Sequence, residues 1–375
     1  MVRDSLMDLA RSLAERGRYT VAPNPLVGAV VARGGVVVGE GWHSRAGEDH
    51  AEVVALRNAG DAARGATIYV TLEPCNHHGR TPPCLEAILR AGVSRVVVGA
   101  LDQDPRMRGR SVEALRGAGV EVEVLDDPAF ETQNEQFFHY MRTGRPFVHV
   151  KLATTLDGRI AAAGGDSRWV TGEDARRRAH ELRAEAGAVL VGAGTARADD
   201  PLLTPRGLEN EPPRTTRVVL DPHLTTSPKS RLARSVAEGP VVIFCGRDSL
   251  DAHQGEGLEA LGVEVVAAPS TEEGLDLGYV LERLARRGVR GLLVEGGGET
   301  ATSFVRQGLA DKLTLFYAPK LLGSEGVPMI GALRATKMAE SLRFSVSEVE
   351  RFGEDVAVTL YPAPVAEEER VHRAG

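Results

Sequence analysis

The strongest constraint on how this chain folds is a set of metal-suited residues that lie apart in sequence. His50-Ala51-Glu52 opens a helical run to Asn58, with Gly60 beyond its end. Glu73-Pro74-Cys75 follows the short apolar run Thr67 to Leu72, and Pro82-Pro83 precedes a second helical run that starts at Cys84 and stops at Gly92. Apolar patterning and the Gly and Pro punctuation predict a strand ending at Leu72 between two helices. Cys84 then sits in a first helical turn, where unpaired N–H groups and the positive end of the helix dipole favour a thiolate. For His50, Cys75 and Cys84 to meet, two helix starts and one strand end must converge.

One imidazole and two thiolates fill three corners of a zinc tetrahedron and leave the fourth for water, as in catalytic sites. Glu52 is the right kind of group to carry protons between that water and a departing amine, the chemistry of zinc nucleobase deaminases. Hydrolytic deamination with one zinc ion per chain is the first expectation. Two other uses of the same atoms stay open at this point. Cys75 and Cys84 could form an inert core pair or a disulfide, and a structural zinc could take its fourth ligand from His43, His77 or His78.

Pro23-Asn24-Pro25-Leu26-Val27-Gly28, Gly39-Glu40-Gly41-Trp42-His43, His50-Ala51-Glu52 and the stretch from Leu72 to Cys84 together resemble the deaminase domain of the bifunctional riboflavin-biosynthesis deaminase-reductase family. Most base deaminases place about two residues between their cysteines. Here there are eight, including His77-His78-Gly79-Arg80-Thr81-Pro82-Pro83, and that insertion is a feature of the family. The resemblance implies that Asn24 and His43 hold a pyrimidine ring while His77 and Arg80 meet a ribosyl 5'-phosphate, for which cationic and N–H donors are suited. Where the family usually reads Asp-Pro-Asn-Pro and then Gly-x-Gly, this chain reads Asp102-Gln103-Asp104-Pro105-Arg106-Met107-Arg108-Gly109-Arg110-Ser111. Asp102 is thus implied as a substrate contact within an altered loop.

At 375 residues the chain suits two domains, each able to bury a core. Its formal charge of -7 argues against a polynucleotide partner, because a deaminase acting on RNA or DNA would show a basic face. The N-terminus, Asp4 to Arg16, reads as an amphipathic helix with charges throughout, unlike the apolar core of a signal peptide. No apolar run approaches the length of a membrane span. A cytoplasmic enzyme of small molecules, with neither nucleic acid nor membrane as partner, is expected.

Up to about Pro128 short apolar strands alternate with helices: Val27 to Val31, Val36 to Val38, Ile68 to Leu72, Val93 to Val98 and Val120 to Leu125. Ala129 to Met141 reads as one closing helix, and Arg142 to Pro146 as a hinge. A second α/β series follows, with strands at Phe147 to Lys151, Ala188 to Val191, Arg217 to Leu220, Val241 to Phe244, Val263 to Ala267, Gly291 to Val294 and Lys312 to Tyr317. Helices at Asp174 to Glu185, Gly278 to Arg287 and Ala301 to Gly308 fall between them, which implies a largely parallel sheet covered on both faces. The expected division is 1–145, 146–362 and a mobile charged tail, 363–375.

Gly291-Leu292-Leu293-Val294-Glu295-Gly296-Gly297-Gly298 ends a buried strand in three glycines before a helix, a junction whose backbone N–H groups can approach a pyrophosphate. Its spacing is not the Rossmann fingerprint. Lys151 to Ala161, Ser167 to Thr171, Val191 to Pro201 and Leu203 to Arg206 resemble, in the expected order, the reductase half of the same family. That half has a dihydrofolate-reductase-like fold and uses NADPH. The resemblance implies Ala153, Trp169, Thr195, Asp199 and the segment Gly297, Gly298, Glu299, Thr300, Ala301, Thr302 and Ser303 as cofactor contacts. Ser167, Arg183, Leu203, Arg206 and Glu295 are implied as substrate contacts. Lys151, a cation on the first strand of this half, is suited to polarising a carbonyl or imine at the reacting sugar carbon.

The whole resemblance therefore implies hydrolytic deamination of 2,5-diamino-6-(5-phosphoribosylamino)pyrimidin-4-one, reduction of its ribosyl side chain to ribityl, and assembly as a homo-oligomer.

Overall fold

The computed structural model describes residues 2–77, 82–208, 212, 214–250 and 253–363. Of the features singled out in the sequence, His78, Arg80 and the tail beyond Ala363 lie outside these residues. The chain divides into two compact units: Met1–Pro146 with Glu209–Pro213 and Leu284–Arg290, and the remainder. The inclusion of Leu284–Arg290 in the first unit is something a linear boundary cannot express.

The first unit contains α1 (Val2–Glu15), β1 (Gly28–Arg33), β2 (Val36–Trp42), α2 (Ala51–Ala59), β3 (Thr67–Leu72), α3 (Cys84–Ala91), β4 (Arg95–Ala100), α4 (Arg110–Gly117), β5 (Glu121–Val124), α5 (Pro128–Gln133) and α6 (Glu135–Thr143). Its sheet has the order β2-β1-β3-β4-β5. β1 pairs antiparallel with β2 and β3, and β3, β4 and β5 run parallel. Because strand side chains alternate between faces, Val30 and Ala32 of β1 pack with Leu6, Ala10 and Leu13 of α1, while Ala29 and Val31 join Ala51 and Ala55 of α2. At Gly41 a Cβ would run into the Ala51 and Ala55 backbone, so glycine lets α2 lie against β2. That close approach seats the start of α2, where His50 and Glu52 stand.

The helix expected over Ala129 to Met141 is two helices, broken at Asn134 (φ -117, ψ 27). Asn134 is buried; its Oδ1 accepts from Leu26 N at 2.7 Å and its Nδ2 donates to Leu26 O at 2.9 Å. Satisfying the backbone of the chain that leads into β1 outweighs helix continuity. Asn134→Ala leaves both buried Leu26 groups unpaired, and we expect the unit to lose about 2–4 kcal/mol, read as a lower midpoint in thermal unfolding. An unchanged midpoint would mean that another group or water replaces both bonds.

The second unit contains β6 (Phe147–Thr155), β7 (Arg159–Ala161), α7 (Glu173–Ala186), β8 (Ala188–Gly192), α8 (Ala193–Asp199), β9 (Thr216–Leu220), α9 (Arg231–Arg234), β10 (Val241–Gly246), α10 (His253–Glu259), β11 (Glu264–Ala268), β12 (Ser270–Thr271), β13 (Gly274–Leu275), α11 (Leu277–Ala285, of which Leu284 and Ala285 belong to the first unit), β14 (Gly291–Glu295), α12 (Gly298–Arg306), β15 (Lys312–Ala318), β16 (Val327–Pro328), β17 (Phe344–Phe352) and β18 (Asp355–Pro362). The main sheet has the order β11-β10-β9-β8-β14-β6-β15-β18-β17. It is parallel from β11 to β15 and antiparallel at β15-β18 and β18-β17. Val189, Val191, Val219, Ile243 and Leu293 anchor its core.

Two expectations are corrected here. β6 does not stop near Lys151 but continues to Thr155, because β15 pairs with it as far as Ala318↔Thr155. The closing hairpin β17-β18 has no counterpart among the strands expected from the sequence: β17 is an edge strand with most of its residues exposed, so burial imposes little apolar alternation on it. Among the described residues no helix is long and apolar enough to cross a membrane.

Candidate active sites

The convergence demanded by the metal-suited residues is present. His50 is the N-cap of α2, Cys75 follows the end of β3, and Cys84 is the first residue of α3. His50 Nδ1 lies 3.1 Å from Cys84 Sγ and 3.5 Å from Cys75 Sγ. All three ligand atoms lie within 4.8 Å of one another. Tetrahedral zinc, with Zn–S about 2.3 Å and Zn–N about 2.0 Å, sets nitrogen and sulfur about 3.5 Å apart. Both the donor types and their separations fit that ion. The cysteines are free, which removes the disulfide reading, and among the described residues the grouping has no fourth protein ligand.

The thiols are already polarised. Cys75 accepts from Cys84 N at 3.2 Å, and Cys84 and His50 together draw its pKa down to about 4 against the opposing effect of burial. Cys84 is pushed upward by the Cys75 thiolate and by burial, so the pair retains one proton that a bound cation would displace. Glu52, the second residue of α2, is 3% exposed. Burial and the neighbouring Cys75 charge raise its pKa to about 7, near the value best suited to accepting and returning a proton.

His50, Glu52 and Cys75 line a cavity of about 640 Å³ together with Asn24, His77, Asp102 and Arg290, with Cys84 buried behind them. His43 also borders it, but both its ring nitrogens are engaged: Nε2 faces Asn24 Nδ2 at 3.0 Å and Nδ1 faces Asp49 O at 3.1 Å. Burial holds His43 below its usual pKa, consistent with a neutral ring that donates to Asp49 and accepts from Asn24. The ring thereby orients Asn24, and with both nitrogens engaged His43 has no free hydrogen-bonding nitrogen for a ligand. His77 is exposed at the cavity, and Arg80 lies outside the described residues.

The altered loop after Asp102 is ordered by a residue to which no role was attached in the sequence. Glu73 is buried and accepts from Asp102 N (3.1 Å), Gly109 N (2.9 Å) and Ser111 N (3.0 Å). One carboxylate thus ties the whole loop to the end of β3, and its place beside Pro74-Cys75 was the available signal. Asp102 caps Asp104 N at 2.9 Å, and burial raises its pKa.

In the second unit Lys151 and Glu295 are direct neighbours across β6 and β14. Arg183 of α7 grips Glu295 through Nε (3.1 Å to each oxygen) and Nη2 (2.7 Å). Burial alone would raise the Glu295 pKa, but Arg183 and Lys151 hold it below the usual value. Lys151 is lowered by burial, with Arg183 adding to the effect. Arg183, implied as a substrate contact, has its Nε and Nη2 engaged by Glu295. Arg206 is exposed and near enough to His180 to lower that imidazole, together with burial and Arg183, to about 4. The Leu203 side chain is 2% exposed in the core, so Leu203, with φ 58, offers a ligand only its backbone.

The cofactor residues divide similarly. α8 and α12 start side by side at the carboxyl ends of the parallel neighbours β8 and β14, the place where open α/β sheets bind ligands. Thr195 Oγ1 accepts from Gly297 N at 2.9 Å and locks the two starts together. The first-turn N–H groups of Gly298, Glu299 and Thr300 have no intrahelical acceptor, so the pair of helix starts fits a pyrophosphate. Gly298 itself is needed for packing, since a Cβ would sit 2.5 Å from Pro328 O. Ala301 and Thr302 are buried, with Thr302 Oγ1 donating to Gly298 O and accepting from Gly331 N, and Ser303 Oγ donates to Glu299 O. Those side-chain groups are engaged within the protein, which leaves backbone as what Ala301, Thr302 and Ser303 can offer a cofactor. Ala153 packs partly on the core, Ser167 is half-buried, and Asp199 accepts from Arg168 through its backbone. Trp169 is 64% exposed, so it is not a core residue; Lys320 Nζ donates to Trp169 O and Val170 O and pins its loop.

Residues 2–100 match the cytidine and deoxycytidylate deaminase zinc-binding region, and residues 146–358 match the RibD C-terminal domain. The riboflavin biosynthesis protein RibD of Aquifex aeolicus is 44% identical over 96% of this chain and 99% of its own length. The chain belongs to the RibD family. The RibD protein of Escherichia coli is 39% identical over 95% of this chain and 98% of its own. A solved structure of Acinetobacter baumannii RibD superposes with a TM-score of 0.88 at 37% identity, covering 97% of this chain and 99% of that one. A Thermotoga maritima structure, of a diaminohydroxyphosphoribosylaminopyrimidine deaminase/5-amino-6-(5-phosphoribosylamino)uracil reductase, does so with a TM-score of 0.84 at 36% identity, covering 96% and 99%. As a RibD family member, the chain carries a zinc-binding deaminase domain followed by a reductase domain of riboflavin biosynthesis.

Proposed function

We propose that the first unit deaminates the diaminohydroxyphosphoribosylaminopyrimidine and that the second reduces the resulting 5-amino-6-(5-phosphoribosylamino)uracil with NADPH, as the Thermotoga maritima relative's name describes for that protein. The observation that carries the reading is buried Glu52 beside the grouped His50, Cys75 and Cys84 ligand atoms, with Glu52, His50 and Cys75 lining one cavity that also presents Asn24. Zinc, when bound, supplies a water whose pKa falls towards about 7. Glu52 takes the proton of that water and returns it to the departing amine. Asn24, oriented by His43, aligns the pyrimidine, Asp102 borders the ring, and His77 with Arg80 meets the phosphate.

NADPH, when bound, supplies the hydride. Thr195, Asp199, Trp169, Ala153 and the start of α12 form its binding surface, with Gly297, Gly298, Glu299 and Thr300 offering backbone to the phosphates. Lys151 polarises the carbonyl or imine at the reacting sugar carbon, and Glu295, held by Arg183, accepts from substrate hydroxyls. Ser167, Arg206 and the Leu203 backbone complete that subsite. The functional division is 1–145 and 146–362, with Leu284–Arg290 serving the first unit. We place the enzyme in the cytoplasm as a homo-oligomer acting on small molecules.

A coupled assay tests the reading: ammonia release and NADPH absorbance are followed together on the phosphorylated pyrimidine. Ammonia first and NADPH consumption second is expected. Ammonia with no NADPH consumption would confine the activity to the first unit, and NADPH loss without ammonia would reverse the proposed order.

A further inference from the structure

Arg290 lines the deaminase cavity, and the reading above gives it no task; the other arginine of the lining, Arg106, is already paired with Asp104. It belongs to the first unit, although the RibD C-terminal domain match spans it. Its guanidinium carbon stands 4.9 Å from the Phe137 ring centroid and 5.5 Å from that of Tyr140, both on α6. Nη1 donates to Pro23 O at 2.5 Å, which fixes the fork at the edge of the Pro23-Asn24 turn. Among the described residues Arg290 makes no ion pair and no other hydrogen bond. It lines the same cavity as His50, Cys75 and Glu52 and is partly buried.

A guanidinium offers five N–H donors in a plane, and its stacking on two rings restricts it to one orientation. Removing such a cation from water is unfavourable unless an anion offsets it. Asp102 and Tyr140 favour its charge at a distance but neither hydrogen-bonds to it, and burial still disfavours the cation, so its remaining N–H donors are left for an anion that enters the cavity. We infer that Arg290 binds the phosphate of the deaminase substrate and makes this site selective for the phosphorylated over the dephosphorylated pyrimidine. The inference rests on the deaminase reading. It adds to His77 a cation carried by chain from the reductase half, so that the C-terminal sequence completes the N-terminal site.

The test compares wild type, Arg290→Gln and Arg290→Lys in the full-length zinc-loaded protein, with ammonia release measured on the phosphorylated substrate and on its dephosphorylated counterpart. Losing a charge-assisted contact predicts a KM for the phosphorylated substrate raised about 10- to 100-fold in Arg290→Gln, with kcat little changed. Arg290→Lys should recover part of that loss, and inhibition by inorganic phosphate should weaken in parallel. The dephosphorylated substrate should be handled alike by wild type and variant. NADPH consumption on the deaminated intermediate reports whether the variant is folded. An equal loss on both substrates would show that Arg290 acts only through Pro23 and Asn24, and an unchanged KM would show that it binds no phosphate; either result overturns the inference. Absence of ammonia in the wild type would instead sink the deaminase reading itself.

Discussion

Glu52→Gln is expected to lower ammonia release roughly 1,000-fold while leaving reduction of the supplied deaminated intermediate intact. The size follows from losing the group that both accepts and returns a proton, worth about 100- to 10,000-fold in general acid-base catalysis. Glutamine keeps the shape and removes a carboxylate whose burial already raises its pKa to about 7. A Glu pKa raised in the folded state marks a charged form that folding disfavours, so the variant should unfold no earlier than wild type. Zinc content should also be unchanged, because the ligand atoms belong to His50, Cys75 and Cys84. Wild-type rates of ammonia release in the variant would remove Glu52 from the mechanism, whereas lost zinc would show that the residue supports the metal instead.

The second large effect is expected at Lys151. Lys151→Met keeps an unbranched apolar stem beside the Phe316 ring, 5.4 Å from the Lys151 ammonium, but removes the cation next to Glu295. NADPH consumption on the deaminated intermediate should fall about 100- to 1,000-fold, the size found when one preorganised charge stabiliser is removed. Arg183 still holds Glu295, so the carboxylate is not stranded and the fold should persist. Ammonia release should match wild type, and NADPH affinity, measured by fluorescence titration, should change little. A variant that reduces the intermediate at the normal rate would relieve Lys151 of any part in the chemistry.

Much of the first site was legible because its residues are local signals. His50 before α2, Cys75 after β3 and Cys84 at the start of α3 each announce themselves through a helix start or a strand end, and zinc chemistry joins them. Strand positions in both units followed from apolar runs, since central strands are buried on both faces. The edge strand β17 escaped for the converse reason. Asn134 escaped because its reward, the Leu26 backbone, lies far along the chain, where helix propensity has no view of it.

By itself the sequence singled out the metal-suited His50, Cys75 and Cys84, the neighbouring Glu52, the two α/β series and the glycine-rich start of α12, all features written in short stretches where residue type and spacing suffice. Only the tertiary structure decided which side chains are free to act. It assigned both nitrogens of His43 to Asn24 and Asp49, gave the Arg183 fork to Glu295, turned Leu203, Ala301 and Thr302 into the protein, and brought Arg290 to the deaminase cavity. Hydrogen-bond donors and acceptors are finite, and how they are shared depends on neighbours that sequence separation hides.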